Sequence, residues 1–110
     1  MLTAQFWIMD PDGNPVPFLG SRVAWAEWLA EHWREVRVGS TRIGHPRYQI
    51  RISTLFLGTA AHRFPLFETM IFAEGTELNL RSVRSATRPE AWRKHLATVD
   101  LVRDWAKGHP

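Results

Sequence analysis

Two apolar runs, Tyr48–Leu57 and Pro65–Ala73, most constrain what this chain can fold into. Both read as strands central to a sheet, joined by a short loop that carries His62 and Arg63. A sheet covered by helices on one face shows clean apolar–polar alternation, and here the alternation is weak. Ile50, Ile52 and Phe56 point one way while Leu55 and Leu57 point the other. In the second run Leu66, Met70 and Phe72 oppose Phe67 and Ile71, and a single carboxylate, Glu68, interrupts the pattern. Monomers rarely leave large apolar patches uncovered. The surplus therefore predicts a homo-oligomer formed through the sheet, with a two-fold dimer the simplest form.

Around these runs the chain supplies recognisable punctuation. Gln5–Met9 begins a strand, Asp10-Pro11-Asp12-Gly13-Asn14 makes a turn, and Val16–Phe18 returns as an edge strand limited by Pro15 and Pro17. Ser21 caps a first helix in which Trp25, Trp28, Leu29 and His32 share one stripe, expected to be buried. Trp25, Trp28 and Trp33 read as core at this spacing in preference to an aromatic binding box. Val36 and Val38 flank Arg37 in a short strand closed by Gly39-Ser40-Thr41, and a turn at Ala73–Thr76 precedes a short strand at Leu78–Val83. Thr87-Arg88-Pro89-Glu90 forms a capping box for the last helix, with Trp92, Leu96, Val99, Val102 and Ala106 as its buried stripe and Gly108 as its stop.

The expected class is α+β: a single domain, 1–110, built as a two-layer sandwich. Its mainly antiparallel sheet has four to five strands, with two helices, near 21–34 and 88–107, on one face. The absence of cysteine excludes disulfides, thiolate metal sites and cysteine nucleophiles. No stretch is long and apolar enough to span a membrane, and the first ten residues lack the features of a signal peptide, so a cytoplasmic location is expected. Charge is uneven. Residues 1–80 carry seven Arg against eight acidic residues, net −1, while residues 81–110 carry seven Lys or Arg against three, net +4. A basic C-terminal third fits either a solvated helix face or a nucleic-acid surface.

Chemistry-bearing residues are sparse. His62, Arg63 and Glu68 define a candidate polar pocket at the loop end of the two central strands, with Thr54 beside it. A carboxylate within an apolar strand demands a partner, and Arg63, Arg51 and His62 are the candidates. Arg81, Arg84 and Arg88, spaced three and four apart before the capped helix, form a candidate phosphate cluster. The five histidines have no ligand spacing, and nucleophile elbow, phosphate loop and dinucleotide fingerprint are all absent. No metal or cofactor is expected, and the balance leans against an enzyme.

Ser53-Thr54-Leu55-Phe56-Leu57-Gly58, then His62, then Pro65-Leu66-Phe67-Glu68-Thr69-Met70-Ile71-Phe72 resembles a pattern in a group of small proteins encoded by tailed bacteriophages and prophages. That group also tends to have a Trp-rich helix near its start and a final helix after a Thr or Ser cap. The chain departs from the pattern at Ala61, where the group usually has an acid, and in a shorter, less glycine-rich loop. No activity is established for the group. The resemblance implies a phage accessory protein in the host cytoplasm, binding a host protein or an anionic nucleotide and so blocking a host factor or antiviral defence. The alternatives are a nucleic-acid-binding module using the basic C-terminal third and a small hydrolase using His62 and Glu68.

Overall fold

The computed structural model describes residues 5–59 and 66–110. In chain order the elements are β1 (Phe6–Met9), β2 (Pro15–Phe18), α1 (Arg22–Glu31), α2 (Trp33–Val36), β3 (Arg37–Ile43) and β4 (Ile50–Phe56). They continue with β5 (Phe67–Phe72), a 3₁₀ turn (Glu77–Leu80), β6 (Ser82–Ser85) and α3 (Arg88–Lys107). The two apolar runs are the central strands of a four-strand antiparallel sheet ordered β3-β4-β5-β6, and β1 pairs with β2 in a separate two-strand ribbon. The fold is α+β.

Register decides which side chains meet α3. Ile52 pairs with Ile71, Thr54 with Thr69 and Phe56 with Phe67, and all six side chains are buried beneath the helix layer. Between two apolar clusters, one around Ile52, Ile71, Val99 and Val102 and the other around Phe56, Phe67 and Ala91, lies a polar seam. His95 of α3 is fully buried there. Its Nε2 bonds the Thr41 hydroxyl at 2.9 Å and its Nδ1 the Thr54 hydroxyl at 2.8 Å, and Thr54 bonds Thr69 at 2.6 Å. In a neutral ring one nitrogen donates and the other accepts, and the hydroxyls rotate to supply the complementary roles. Gly39 makes the space: a Cβ there would stand 3.0 Å from both His95 Nε2 and Trp92 Cζ3.

This seam explains why α3 sits differently from expectation. Its buried side chains are Ala91, His95, Thr98, Val99 and Val102, while Trp92 and Leu96 are exposed at 46 % and 44 %. The apolar pattern alone pointed to Trp92 and Leu96; the hydroxyls on the sheet turn the histidine inward instead. The N-terminus of the helix is capped as expected by Thr87 Oγ1, which accepts from the Glu90 amide. The Glu90 carboxylate joins Lys94 at 2.9 Å, and that hydrogen bond holds its pKa below the ordinary value.

Three boundaries also differ from expectation. The strand expected at Val36–Val38 begins at Arg37 and continues through Gly39-Ser40-Thr41 to Ile43, with a register shift between Arg37 and Gly39. Pairing with β4 overrides the turn propensity of those residues. The strand expected at Leu78–Val83 is instead the 3₁₀ turn followed by β6. Thr76 Oγ1 accepts from the Leu78 amide and Asn79 Oδ1 from the Ala73 amide, and these bonds close the turn. The first helix breaks at His32, giving α1 and α2.

The stripe on α1 is half-buried, with none of its residues fully enclosed. It packs on the ribbon, and Trp28 meets Phe56 edge-on at the end of the main sheet. Trp25 stacks on Phe6 with centroids 4.8 Å apart, and its Nε1–H donates to the Trp7 carbonyl at 3.1 Å. Gly58, at φ +69°, lets the chain leave β4 and accept from the Trp7 amide at 2.7 Å. A Cβ at Gly58 would come within 2.9 Å of the Trp7 carbonyl oxygen.

Burial disfavours the imidazolium form of His95 and lowers its pKa from the ordinary 6.5. The unfolded chain therefore binds a proton that the folded one refuses, and stability falls as pH drops from about 6.5 toward the lower folded value. The expected slope in that window is at most about 1.4 kcal/mol per pH unit. Chemical denaturation at pH 8, 6.5 and 5.5 should show this loss in the wild type and a shallower one in His95→Gln. Equal pH dependence in the two proteins would count against the seam as its source.

Candidate functional site

The residues expected to carry chemistry are scattered. His62 and Arg63 lie outside the described residues. Thr54 is enclosed beneath α3 and bonded to His95 and Thr69, so it presents nothing to a ligand. Glu68 lies on the face of the sheet opposite α3, where its cross-strand neighbour is Arg84. Their side chains meet at 3.1 Å, so among the described residues the strand carboxylate pairs with Arg84 and not with Arg51, which lies over Phe72.

Arg81, Arg84 and Arg88 do not share one surface. Arg84 engages Glu68, whereas Arg88 reaches back across the start of α3 to donate to the Glu35 carbonyl at 2.9 Å and touch Met9 Sδ at 3.7 Å. Arg81 is exposed at the C-terminal end of the 3₁₀ turn. The remaining basic third is also partly engaged locally, with Lys94 on Glu90 and Lys107 near Asp104. A run of positive charge in sequence has become several separate contacts in space.

Positive charge collects elsewhere, at the β3–β4 hairpin. Arg42 and Arg51 stand directly opposite each other across the two strands, and Phe72 follows Arg51 on β5. The Arg51 guanidinium lies 4.8 Å over the Phe72 ring, which is 40 % exposed. Arg47 and Gln49 lie on the connecting loop and complete an open groove of about 830 Å³, with Glu74 at its rim.

The loop is held by an imidazole. His45 Nδ1 accepts from the Arg47 amide at 3.0 Å and the Tyr48 amide at 3.3 Å. Its other nitrogen, Nε2, must then carry the proton, and it bonds the His109 carbonyl beyond the end of α3. Tyr48 and Trp105 pack beside it. The hairpin is thus anchored to α3 on one side while its arginines remain exposed on the other.

Two like charges directly opposed on neighbouring strands repel, which disfavours leaving Arg42 and Arg51 unneutralised. None of the ion pairs found among the described residues involves Arg42, Arg47 or Arg51. The groove offers forked guanidinium donors for a carboxylate or phosphate and a flat surface for stacking. Among the described residues no three His, Asp or Glu side chains are grouped to hold a metal ion.

The signal for this groove was present but indirect. Arg51 is a polar interruption in a largely apolar strand, and Arg42 stands just before the turn-forming Gly44, His45 and Pro46. Placing them side by side requires the register of the hairpin. Of the three tryptophans weighed as an aromatic box, Trp25 and Trp28 pack internally. Trp33 is exposed, with the Arg34 guanidinium 5.1 Å and the Arg37 guanidinium 5.9 Å from its ring. Comparison with family models, curated proteins and solved structures finds no match.

The side chain of Arg84 is 56 % exposed and that of Glu68 17 %, which places the pair among surface ion pairs worth about 0.2–1 kcal/mol. Glu68→Gln should therefore lower unfolding free energy by less than about 1 kcal/mol in urea titration. A loss of several kcal/mol would show that Glu68 has a larger structural role than this contact.

Proposed function

We propose that this protein is a non-enzymatic binder that takes an anionic partner on the open face of its four-strand sheet. One observation supports this reading above the others: arginines 42, 47 and 51 share one groove with the exposed ring of Phe72. The exposed chemistry there is binding chemistry, and the buried histidine of the seam is sealed from it. Together with the resemblance to small phage and prophage proteins, this supports an accessory protein acting in the host cytoplasm. It would inhibit a host factor or defence system, by binding an acidic protein surface or by sequestering a signalling nucleotide. Among the described residues no helix is long and apolar enough to cross a membrane.

A second reading, nucleic-acid binding, moves with the charge. The C-terminal third no longer offers a continuous basic surface, but the arginines beside Phe72 on an open sheet resemble the way sheet faces stack and neutralise single strands. Such binding would weaken steeply with added salt.

Self-association remains part of the proposal, with its surface reassigned. The open sheet face exposes Leu55 and Phe72, but arginines surround them. Trp92 and Leu96, about one turn apart on α3, form an exposed apolar pair, and we propose a two-fold contact there. Light scattering at tens of micromolar should give a dimer for the wild type and a monomer for Leu96→Glu; a wild-type monomer would remove this element.

Affinity capture from bacterial lysate, with mass spectrometry of retained proteins and small molecules, tests the main reading. The wild type should enrich an acidic protein or a phosphorylated compound that Arg42→Glu/Arg51→Glu loses while keeping its circular dichroism spectrum. Equal enrichment by both would show that the groove is not the binding surface.

A further inference from the structure

The binder reading leaves its ligand unnamed, and the groove at the β3–β4 hairpin narrows the choice. We propose that it binds a small nucleotide carrying about two negative charges, with its phosphate among Arg42, Arg47 and Arg51 and its base against Phe72. The inference rests on the binder reading and adds both the site and the ligand class.

Charge gives the first part of the argument. Three guanidiniums and one carboxylate, Glu74, line the groove, leaving a local charge of +2. A phosphate monoester carries about −1.5 to −2 at neutral pH, and two phosphodiesters carry a similar charge. Arg42 and Arg51 are directly opposed across the strands, so an anion bridging them would remove their mutual repulsion. Guanidinium forks match phosphate oxygens better than a lysine ammonium does, and none of the three positions is lysine.

Shape and stacking give the second part. An acidic peptide would satisfy the arginines equally well but would have no use for an exposed aromatic ring already capped by a guanidinium. Phe72 and the Arg51 guanidinium over it form a cationic platform suited to a purine or pyrimidine ring. The groove, at about 830 Å³, is within the range of small-molecule sites, roughly 300–1,000 Å³. It is also confined to one end of the sheet. Toward the other end the open face carries the closed Glu68–Arg84 pair, which places a carboxylate where a continuing strand would lay its next phosphates. A compact nucleotide fits this arrangement better than a long single strand.

The anchored loop supports the same conclusion. His45 fixes the backbone on either side of Arg47 through the Arg47 and Tyr48 amides, so the third guanidinium is carried by an ordered turn. A site assembled in advance loses less freedom when its ligand arrives.

Isothermal titration of the full chain with AMP, GMP, cyclic di-GMP, inorganic phosphate, adenosine and an eight-residue oligouridine tests this assignment. At least one of the three nucleotides should bind ten-fold or more tightly than phosphate or adenosine alone. Arg42→Ala and Arg51→Ala should each weaken it ten-fold or more, while Phe72→Leu should bring it down to the level of phosphate. Preference for cyclic di-GMP would place the two charges on separate phosphodiesters, and preference for a mononucleotide would place them on one phosphate; either supports the site. Thermal melts of each variant separate loss of the groove from loss of the fold. Absence of nucleotide binding, or binding unchanged in both arginine variants, would overturn the inference. If lysate capture still enriched an arginine-dependent acidic protein, the binder reading would survive with its ligand class corrected. An oligouridine bound more tightly than every small nucleotide would overturn the compact-ligand assignment in favour of a strand.

Discussion

The hydrogen-bonded chain Thr41–His95–Thr54–Thr69 sets how the helix layer meets the sheet. It lies between the two apolar clusters, where a shift of α3 by one residue would leave hydroxyls and imidazole unpaired in a buried interface. Unpaired buried polar groups cost about 1–3 kcal/mol each, so the seam selects one rotation and one axial position for the helix. Apolar side chains alone would be more permissive, because leucine, valine and isoleucine tolerate sliding that a directional bond does not.

That position determines what happens at both ends of α3. At its N-terminus Arg88 spans to the Glu35 carbonyl and Met9, joining the ribbon and the short α2 to the main body. At its C-terminus Trp105 and the His109 carbonyl meet Tyr48 and His45, which fixes the β3–β4 hairpin. The face of the sheet away from α3 then takes its character from the side chains left there by register: Arg42, Arg51 and Phe72 at one end, Leu55, Glu68 and Arg84 at the other. The candidate groove is thus a consequence of strand parity and loop anchoring.

The fold class, the central strands, the Asp10–Asn14 turn and both helix caps were legible because each rests on local chemistry. Asp10 Oδ1 accepts from the amides of Asp12 and Asn14, and Ser21 Oγ from that of Ala24, and these bonds span at most four residues. What was not legible depends on partners distant in sequence. Gly39 reads as a strand terminator until His95, far along the chain, is seen occupying the space its missing side chain leaves. Trp92 and Leu96 read as core until the threonines of the sheet claim His95. Arg84 was grouped with Arg81 and Arg88 by spacing, yet its partner Glu68 lies across a strand. Arg42 and Arg51, separated along the chain, likewise become neighbours only once β3 and β4 pair.

The stretch that suggested a phage-protein resemblance takes on a definite physical meaning. Thr54 and Thr69 belong to the seam, Phe56 and Phe67 pack against each other in the core, and Gly58 turns the chain toward the ribbon. Glu68 closes an ion pair with Arg84 on the open face. Packing, hydrogen bonding and backbone geometry account for these six residues. Arg42, Arg47 and Arg51 lie outside the pattern altogether. The hairpin that carries them is held instead by His45 and the end of α3.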